Sequence, residues 1–165
     1  MITSRSLDFI HDLDHVPSRK IENELLRIQR THISGTTFSI EFTCFAPGIL
    51  LLSPCHILCL VPSLYASGTH QHRSSVPLAL SLQKVIGCLS NDYASILTIT
   101  NISAEQAEIL CLQAKDLVHK RNLRSRLVSN EGLLGWRRKR FLLLWEAGLL
   151  SAELLLRWRV VLKAN

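Results

Sequence analysis

One uncharged stretch dominates the pattern of apolar and polar positions along this chain. Between Phe42 and Ala66 the sequence FTCFAPGILLLSPCHILCLVPSLYA contains no Asp, Glu, Lys or Arg. Its length suits the roughly 20 apolar residues that cross a bilayer as a helix, but Pro47, Pro54 and Pro62 interrupt it. From residue 36, apolar and polar residues also alternate, as in a half-buried strand. The pattern therefore predicts that residues 36–66 form either a membrane span or short β-strands.

Most of the other patterns are helical. Residues 1–16 predict a short helix, and Ile21, Leu25 and Ile28 form the apolar stripe of a second helix that ends near residue 31. Residues 78–89 predict a third helix, and the β-branched residues between 94 and 100 predict a strand.

Two longer helices are predicted for the C-terminal region. The sequence SAEQ at residues 103–106 is a capping box, in which the Ser103 hydroxyl accepts the amide of Gln106. A helix should therefore begin there and extend to about residue 120. Residues 136–162, WRRKRFLLLWEAGLLSAELLLRWRVVL, place leucines around most of a helical circumference. This segment predicts one continuous helix that needs burial on nearly all sides.

Together these elements predict a mainly α fold with a proline-interrupted apolar segment at 36–66. The alternative is a small single-domain α+β fold. A Ser- and His-rich linker at residues 67–76 separates the N-terminal helices and apolar segment (1–66) from a helical region with a basic, Trp- and Leu-rich tail (77–165). At 165 residues the chain can also form one domain overall.

Basic charge is concentrated at the C-terminal end. The net charge is +6, and residues 103–165 hold twelve Lys and Arg against six Asp and Glu. Cations attract anionic head groups and indole rings settle at head-group level, so we predict an anionic membrane surface as the partner. Nucleic acid or an acidic protein is the alternative partner, and a core helix with a solvated basic start is the competing interpretation. The residues expected to make the contact are Trp136, Arg137, Arg138, Lys139, Arg140, Trp145, Arg157, Trp158 and Arg159.

The five cysteines do not indicate a disulfide scaffold, because they are odd in number and mostly lie in apolar surroundings. The N-terminus has no apolar signal-peptide region, so we expect an intracellular, membrane-associated protein that is not secreted. Two weak metal sites can be drawn. Cys55, Cys59, His70 and His72 are chemically suited to zinc but poorly spaced, and His11 with His15 could chelate a metal beside two aspartates.

No sequence motif indicates an enzyme. GxxxxGK[ST], GxGxxG, HExxH and GxSxG are all absent from the sequence, so we predict no cofactor and no small-molecule substrate. The sequence favours a small, basic, non-enzymatic, membrane-associated protein. One alternative is a soluble α+β binding or regulatory module. Another is the product of an open reading frame without selected function, since the codon-rich residues Leu, Ser and Arg make up 61 of 165 positions.

Overall fold

The computed structural model describes residues 9–14, 16, 20–66, 81–90 and 92–165, with nothing said of the side chains at 62–66. These residues form a mixed α/β fold, which the α+β alternative fits. The described elements, in chain order, are β1 (Ile10–Asp12), α1 (Ile21–Thr31), β2 (Thr37–Phe45), α2 (Pro54–Ala66), α3 (Leu82–Leu89), β3 (Ala94–Asn101), α4 (Ser103–His119), α5 (Arg121–Ser151) and β4 (Leu155–Ala164).

The four described strands form one sheet in the order β1-β2-β4-β3. β1 runs parallel to β2, and β4 is antiparallel to both of its neighbours. Strands from residues 10–45 and from residues 94–164 therefore share a single sheet, while residues 67–76, the predicted linker, lie outside the described residues. The domain boundaries stay a prediction.

The main core lies on one face of this sheet. Phe38, Ile40 and Phe42 alternate along β2, and on β4 they face Leu162, Val160 and Trp158 across the register. Helices α1 and α3 cover this face with the buried side chains of Ile21, Leu25, Ile28, Val85 and Leu89. The amide of Gln29, itself buried, donates to the carbonyl of Leu89 at 3.2 Å and ties the two helices together. The predicted stripe of α1 is thus confirmed.

Residues 36–66 are neither a membrane span nor a set of short strands, so both predictions for the segment as a whole were wrong. The alternating part forms β2, as expected, but the remainder folds into α2. Pro54 begins α2, where a missing N–H costs nothing, and Pro62 lies inside it. Since Pro62 has no N–H for the carbonyl of Leu58, the indole of Trp145 donates to that carbonyl instead, at 3.0 Å. None of the helices in the described ranges combines the length and apolarity that a membrane span requires.

Residues 136–162 do not form one helix either. α5 is kinked at Gly132 (φ 74°, ψ 174°) and ends at Ser151. Glu153 then takes a positive φ of 55°, and the chain continues as β4. Residues 155–164 form a strand instead of continuing the helix, because their alternate side chains suit the two different faces of the sheet. Leu149, Leu150 and Leu155 join a second core formed with α2 and α4.

Of the remaining helix and strand predictions, three are confirmed and one is wrong in its described part. The helices at α3 and α4 and the strand at β3 are confirmed. The predicted helix at residues 1–16 is wrong at positions 10–12, which pair with β2 as a strand, and residues 1–8 lie outside the described part of the chain.

Candidate functional site

A polar cluster lies on the sheet face opposite the main core. Ser39, Glu41 and Thr43 alternate with the apolar residues of β2, so their side chains share this face. Arg157 lies opposite Thr43 in the register and Arg159 lies opposite Glu41. The cluster therefore sits near the carboxyl ends of the two parallel strands, β1 and β2.

Arg157 is the centre of this cluster, and its side chain is only 7% exposed. One terminal nitrogen, Nη1, donates to the Asp14 carboxylate and to the Thr43 hydroxyl, the latter at 3.3 Å. The other, Nη2, donates to Glu41 at 3.1 Å and lies 3.5 Å from Asp12. Its Nε is buried without a hydrogen-bond partner in the described structure. Arg157 thus joins three carboxylates that come from two strands and the turn after β1.

Asp14 continues the hydrogen bonding of β2 beyond the point where β1 ends. The amide of Thr43 donates to Asp14 Oδ1 at 2.6 Å, and the Thr43 hydroxyl donates to Oδ2 at 2.8 Å. Burial raises the pKa of Asp14 above its ordinary value, although Arg157 and the Thr43 hydrogen bonds partly offset this rise. Burial alone would lower the pKa of Arg157, but Asp14, Asp12 and Glu41 together raise it. The pair is therefore held as an ion pair mainly by its mutual contact.

Ser103 has the corresponding role on the other side of β4. Its hydroxyl accepts the amide of Arg157 at 2.9 Å and donates to Asn101 Oδ1 at 2.6 Å. The predicted capping box is therefore wrong in detail, because Ile102 is the N-cap residue and makes no side-chain cap bond. The Ser103 side chain instead anchors the start of α4 to the sheet beside the cluster.

This arrangement can bind a cation or a hydrogen-bond donor. Asp12, Asp14, Glu41 and Glu105 supply four carboxylates, against the two guanidinium groups of Arg157 and Arg159, so the cluster carries a formal charge of −2. The Asp12 side chain is 34% exposed and is the most accessible of the three carboxylates that Arg157 contacts. In open α/β sheets, ligands bind outside the carboxyl ends of parallel strands. Asp12 lies at such an end.

The residues predicted to contact an anionic surface are distributed over two different elements. Arg157 and Arg159 are in the ion-pair cluster, and Trp158 is partly buried against the main core. The indole of Trp136 donates to the carbonyl of Leu117 at 2.9 Å, and Trp145 donates to α2 as described above. Arg137 and Arg140 are exposed on α5, where Arg138 and Lys139 are partly buried. The structure therefore does not bring the nine predicted residues together.

Each of the two weak metal sites includes residues outside the described part of the chain, so both stay predictions. Cys55 is exposed and Cys59 is buried on α2, where burial raises the pKa of the Cys59 thiol to about 11 and keeps it protonated. His70 and His72 lie outside the described residues. Among the described residues, no three His, Cys, Asp or Glu side chains are placed to hold a metal ion.

His11 is on β1 rather than on a helix, and its predicted partner His15 lies outside the described residues. It pairs instead with His32, with 2.9 Å between the two Nε2 atoms, and His32 stacks on Phe38 at a ring separation of 4.1 Å. Burial lowers the pKa of both histidines, and the charge of His32 lowers that of His11 further. Lowered pKa values favour neutral rings near neutral pH, and a neutral pair lets one Nε2 donate to the other.

Sequence reasoning missed Asp12, Asp14, Glu41 and Thr43 as members of one cluster. A signal was present, because polar residues alternate through the otherwise apolar strand at 37–45. We used this alternation to predict a half-buried strand with a solvated face. In fact this face is also buried, as the exposure of Ser39 (0%) and Thr43 (0%) shows. A buried polar face requires internal partners.

Comparison with solved structures identifies the architecture. No protein-family model matches the sequence, and no curated protein is similar to it in sequence. The fold resembles a methyltransferase domain. A cyclopropane synthase from Mycobacterium tuberculosis matches 94% of this chain with a TM-score of 0.70 at 12% identity. Phosphoethanolamine N-methyltransferase 2 from Haemonchus contortus, in complex with phosphomonomethylethanolamine and S-adenosylhomocysteine, matches 96% of this chain with a TM-score of 0.64 at 12% identity. Its complex with S-adenosyl-L-methionine matches 95% of this chain with a TM-score of 0.60 at 16% identity.

This chain spans only part of those neighbours, namely 53% of the cyclopropane synthase and about a third of the N-methyltransferase (33% and 32%). The neighbours are enzymes, and the N-methyltransferase complexes contain small ligands, so the comparison corrects our functional predictions. The expectation of a non-enzymatic, membrane-associated protein with an anionic-surface partner was wrong. So were the two alternative functions and the expectation that no small-molecule substrate is involved.

Proposed function

We propose that this chain is part of an enzyme that transfers a methyl group from S-adenosyl-L-methionine to a small acceptor. The observation that carries the proposal is the fold match, which extends over 94% of the chain with a TM-score of 0.70. The polar cluster supports it, because the cluster lies at the carboxyl ends of β1 and β2, where open α/β sheets bind their ligands.

The sequence lacks the glycine-rich motif that commonly holds the adenosine part of that cofactor. A nucleoside is commonly held where a glycine-rich turn follows a parallel strand and lets the backbone approach closely. GxGxxG is absent from the sequence. The described glycines with positive φ, Gly35, Gly48 and Gly132, have no atom within 4 Å of the position that a Cβ would occupy. Open space at these positions does not identify a cofactor contact, and we assign none to the described residues.

The cluster fits the acceptor instead. Its formal charge of −2 favours a protonated amine, and the partly exposed Asp12 carboxylate can accept a hydrogen bond from an N–H or O–H group. Arg157 holds the Asp12 and Asp14 carboxylates in place from β4. In this proposal Asp12 contacts the acceptor, and Arg157 is a positioning residue.

The test is a methyl-transfer assay with methyl-labelled S-adenosyl-L-methionine on protein purified from cells that express it. Phosphoethanolamine and phosphomonomethylethanolamine serve as trial acceptors, because the first is in the name and the second in the complex of the N-methyltransferase neighbour. We expect label in an acceptor and a loss of about 10²-fold in kcat/KM on Asp12→Asn, the size expected when a substrate-orienting group is removed. Asp116→Asn is the matched control, because Asp116 pairs only with Lys120 on the surface. Equal activity in the two variants would refute the role of Asp12, and absence of transfer to any acceptor would refute the function.

A further inference from the structure

Two histidine rings meet at the edge of the main core, away from the polar cluster. His11 lies on β1 and His32 directly follows α1, and their Nε2 atoms are 2.9 Å apart. His11 and Asp12 are neighbours on a strand, so their side chains point to opposite faces of the sheet. The histidine pair is therefore separate from the acceptor site proposed above.

Aromatic contacts fix the orientation of both rings. His32 stacks on Phe38 with 4.1 Å between the ring centroids and an interplanar angle of 13°, and Phe9 packs against the His32 ring at 5.2 Å. His11 meets Phe38 edge-on at 6.2 Å. Both histidines are partly exposed, so ions in solution can approach the pair. The two rings are thus held in place before any ligand binds.

The spacing of the rings suits a shared metal ion. Two imidazoles on one tetrahedral Zn²⁺, with Zn–N bonds of about 2.0–2.1 Å, have nitrogens about 3.3 Å apart and ring centroids about 5.2 Å apart. The centroids of His11 and His32 are 5.1 Å apart. The rings therefore need only to turn until their nitrogens separate by about 0.4 Å more, and the backbone keeps its position.

The protonation state of the pair also suits a metal ligand. Metal ions bind neutral imidazole, and burial lowers the pKa of both histidines, which favours the neutral rings. When a metal ion binds, the proton that one Nε2 donates to the other moves to Nδ1 of its own ring. Of the charged groups near His11, Glu24 favours a cation and Arg27 opposes it, and these two side chains pair with each other. Their charges therefore largely cancel.

We propose that His11 and His32 bind one divalent transition-metal ion, Zn²⁺ or Cu²⁺, through their Nε2 atoms. Imidazole nitrogen is a suitable ligand for both ions. The described residues form no group of three or more metal-binding side chains, so water molecules complete the coordination. Because one ligand comes from β1 and the other from the end of α1, the ion fastens this strand to a helix that covers the core. The site goes beyond the proposed function and involves neither cofactor nor acceptor.

Calorimetric titration of the full chain with ZnCl₂ and with CuCl₂ measures the affinity. We expect binding of both ions and none of Mg²⁺, which prefers oxygen ligands. At a free ion concentration of about 100 times the Kd, Tm should rise by about 5–10 °C. His32→Phe keeps an aromatic ring on Phe38 but removes one ligand, and His11→Gln removes the other. Each should weaken binding at least about 100-fold, because loss of an outer-shell partner alone costs about 10–100-fold.

Three controls separate loss of a ligand from other effects. Thermal denaturation in EDTA should show that both variants still unfold cooperatively. His119→Gln changes an exposed histidine on α4 and should leave the affinity unchanged. A chain in which His15, His70 and His72 are all replaced by Gln should also bind as tightly as wild type, because these histidines belong only to the weak metal sites predicted from sequence.

Electron paramagnetic resonance of the Cu²⁺ complex identifies the ligands without a substitution at the site. We expect splitting of the copper signal by two imidazole nitrogens, and this splitting should change when the histidines carry ¹⁵N. A signal without two nitrogen ligands would overturn the proposal even if a variant fails to fold. So would absence of binding, an affinity unaffected by either His11→Gln or His32→Phe, or loss of binding in the chain that lacks the other three histidines.

Discussion

Replacing Arg157 with methionine should destabilise the fold strongly. Methionine keeps much of the side-chain length but removes the guanidinium group that pairs with Asp14 and Glu41. Both carboxylates are at most 10% exposed, so water cannot replace the lost partner. Removing one member of a buried ion pair typically costs about 3–5 kcal/mol. In a chain of this size, 1 kcal/mol shifts Tm by roughly 2–4 °C, which gives a decrease of about 6–20 °C.

The cost should depend on pH in a defined direction. The pKa of Asp14 is already raised by burial, and loss of Arg157 removes the main contact that lowers it. A carboxyl whose pKa is raised on folding contributes stability that is fully present below its unfolded pKa and is lost as the pH rises through the folded pKa. The variant should therefore lose less stability relative to wild type at pH 4.5 than at pH 7.5.

Urea denaturation followed by tryptophan fluorescence at both pH values measures this difference. Lys163→Met is the control, because Lys163 is exposed on the same strand and face, and it should change stability by no more than about 0.5 kcal/mol. A cost below about 1 kcal/mol for Arg157→Met, or the same cost at both pH values, would show that the buried carboxylates do not depend on Arg157.

Three further predictions concern other parts of the fold. In the folded state His11 and His32 have pKa values below 6.5. The contribution of this pair to the stability of the fold is therefore present above pH 6.5 and is lost as the pH falls through the folded pKa values. His32→Phe should therefore reduce the decrease in urea midpoint between pH 7.5 and 5.5, and an unchanged decrease would contradict this. Gly132→Ala should lower the free energy of unfolding by about 1–3 kcal/mol, because the φ and ψ of Gly132 suit only glycine. The control Gly148→Ala should not destabilise the fold, because Gly148 lies inside α5 with open space around it. Equal decreases in Tm for the two variants would contradict this prediction. Trp145→Phe should lower the free energy of unfolding by about 0.5–1.5 kcal/mol. The same change should have little effect in a Pro62→Ala background, where residue 62 regains the N–H that can bond to the carbonyl of Leu58. Additive effects of the two substitutions would refute the idea that the indole replaces the missing amide.

The sequence predicts elements whose signals are local. The stripe of Ile21, Leu25 and Ile28 correctly indicates α1, and alternation between residues 37 and 45 correctly indicates β2. β1 is only three residues long, and its register partners on β2 are 29 positions away. No local period can identify so short a strand, and the spacing of Leu7, Ile10 and Leu13 around it happens to fit a helix.

The tail shows why leucine content misleads. Leu155 to Ala164 does contain a two-residue period, because Leu156, Trp158 and Val160 alternate with charged or polar-face residues. The leucines at 154–156 hide this period within a helical pattern. The site is also non-local, since Arg157 and Asp14 are 143 positions apart. Counting charge along the chain therefore assigns Arg157 and Arg159 to a basic surface, whereas the fold brings them to the carboxylates of Asp12, Asp14, Glu41 and Glu105.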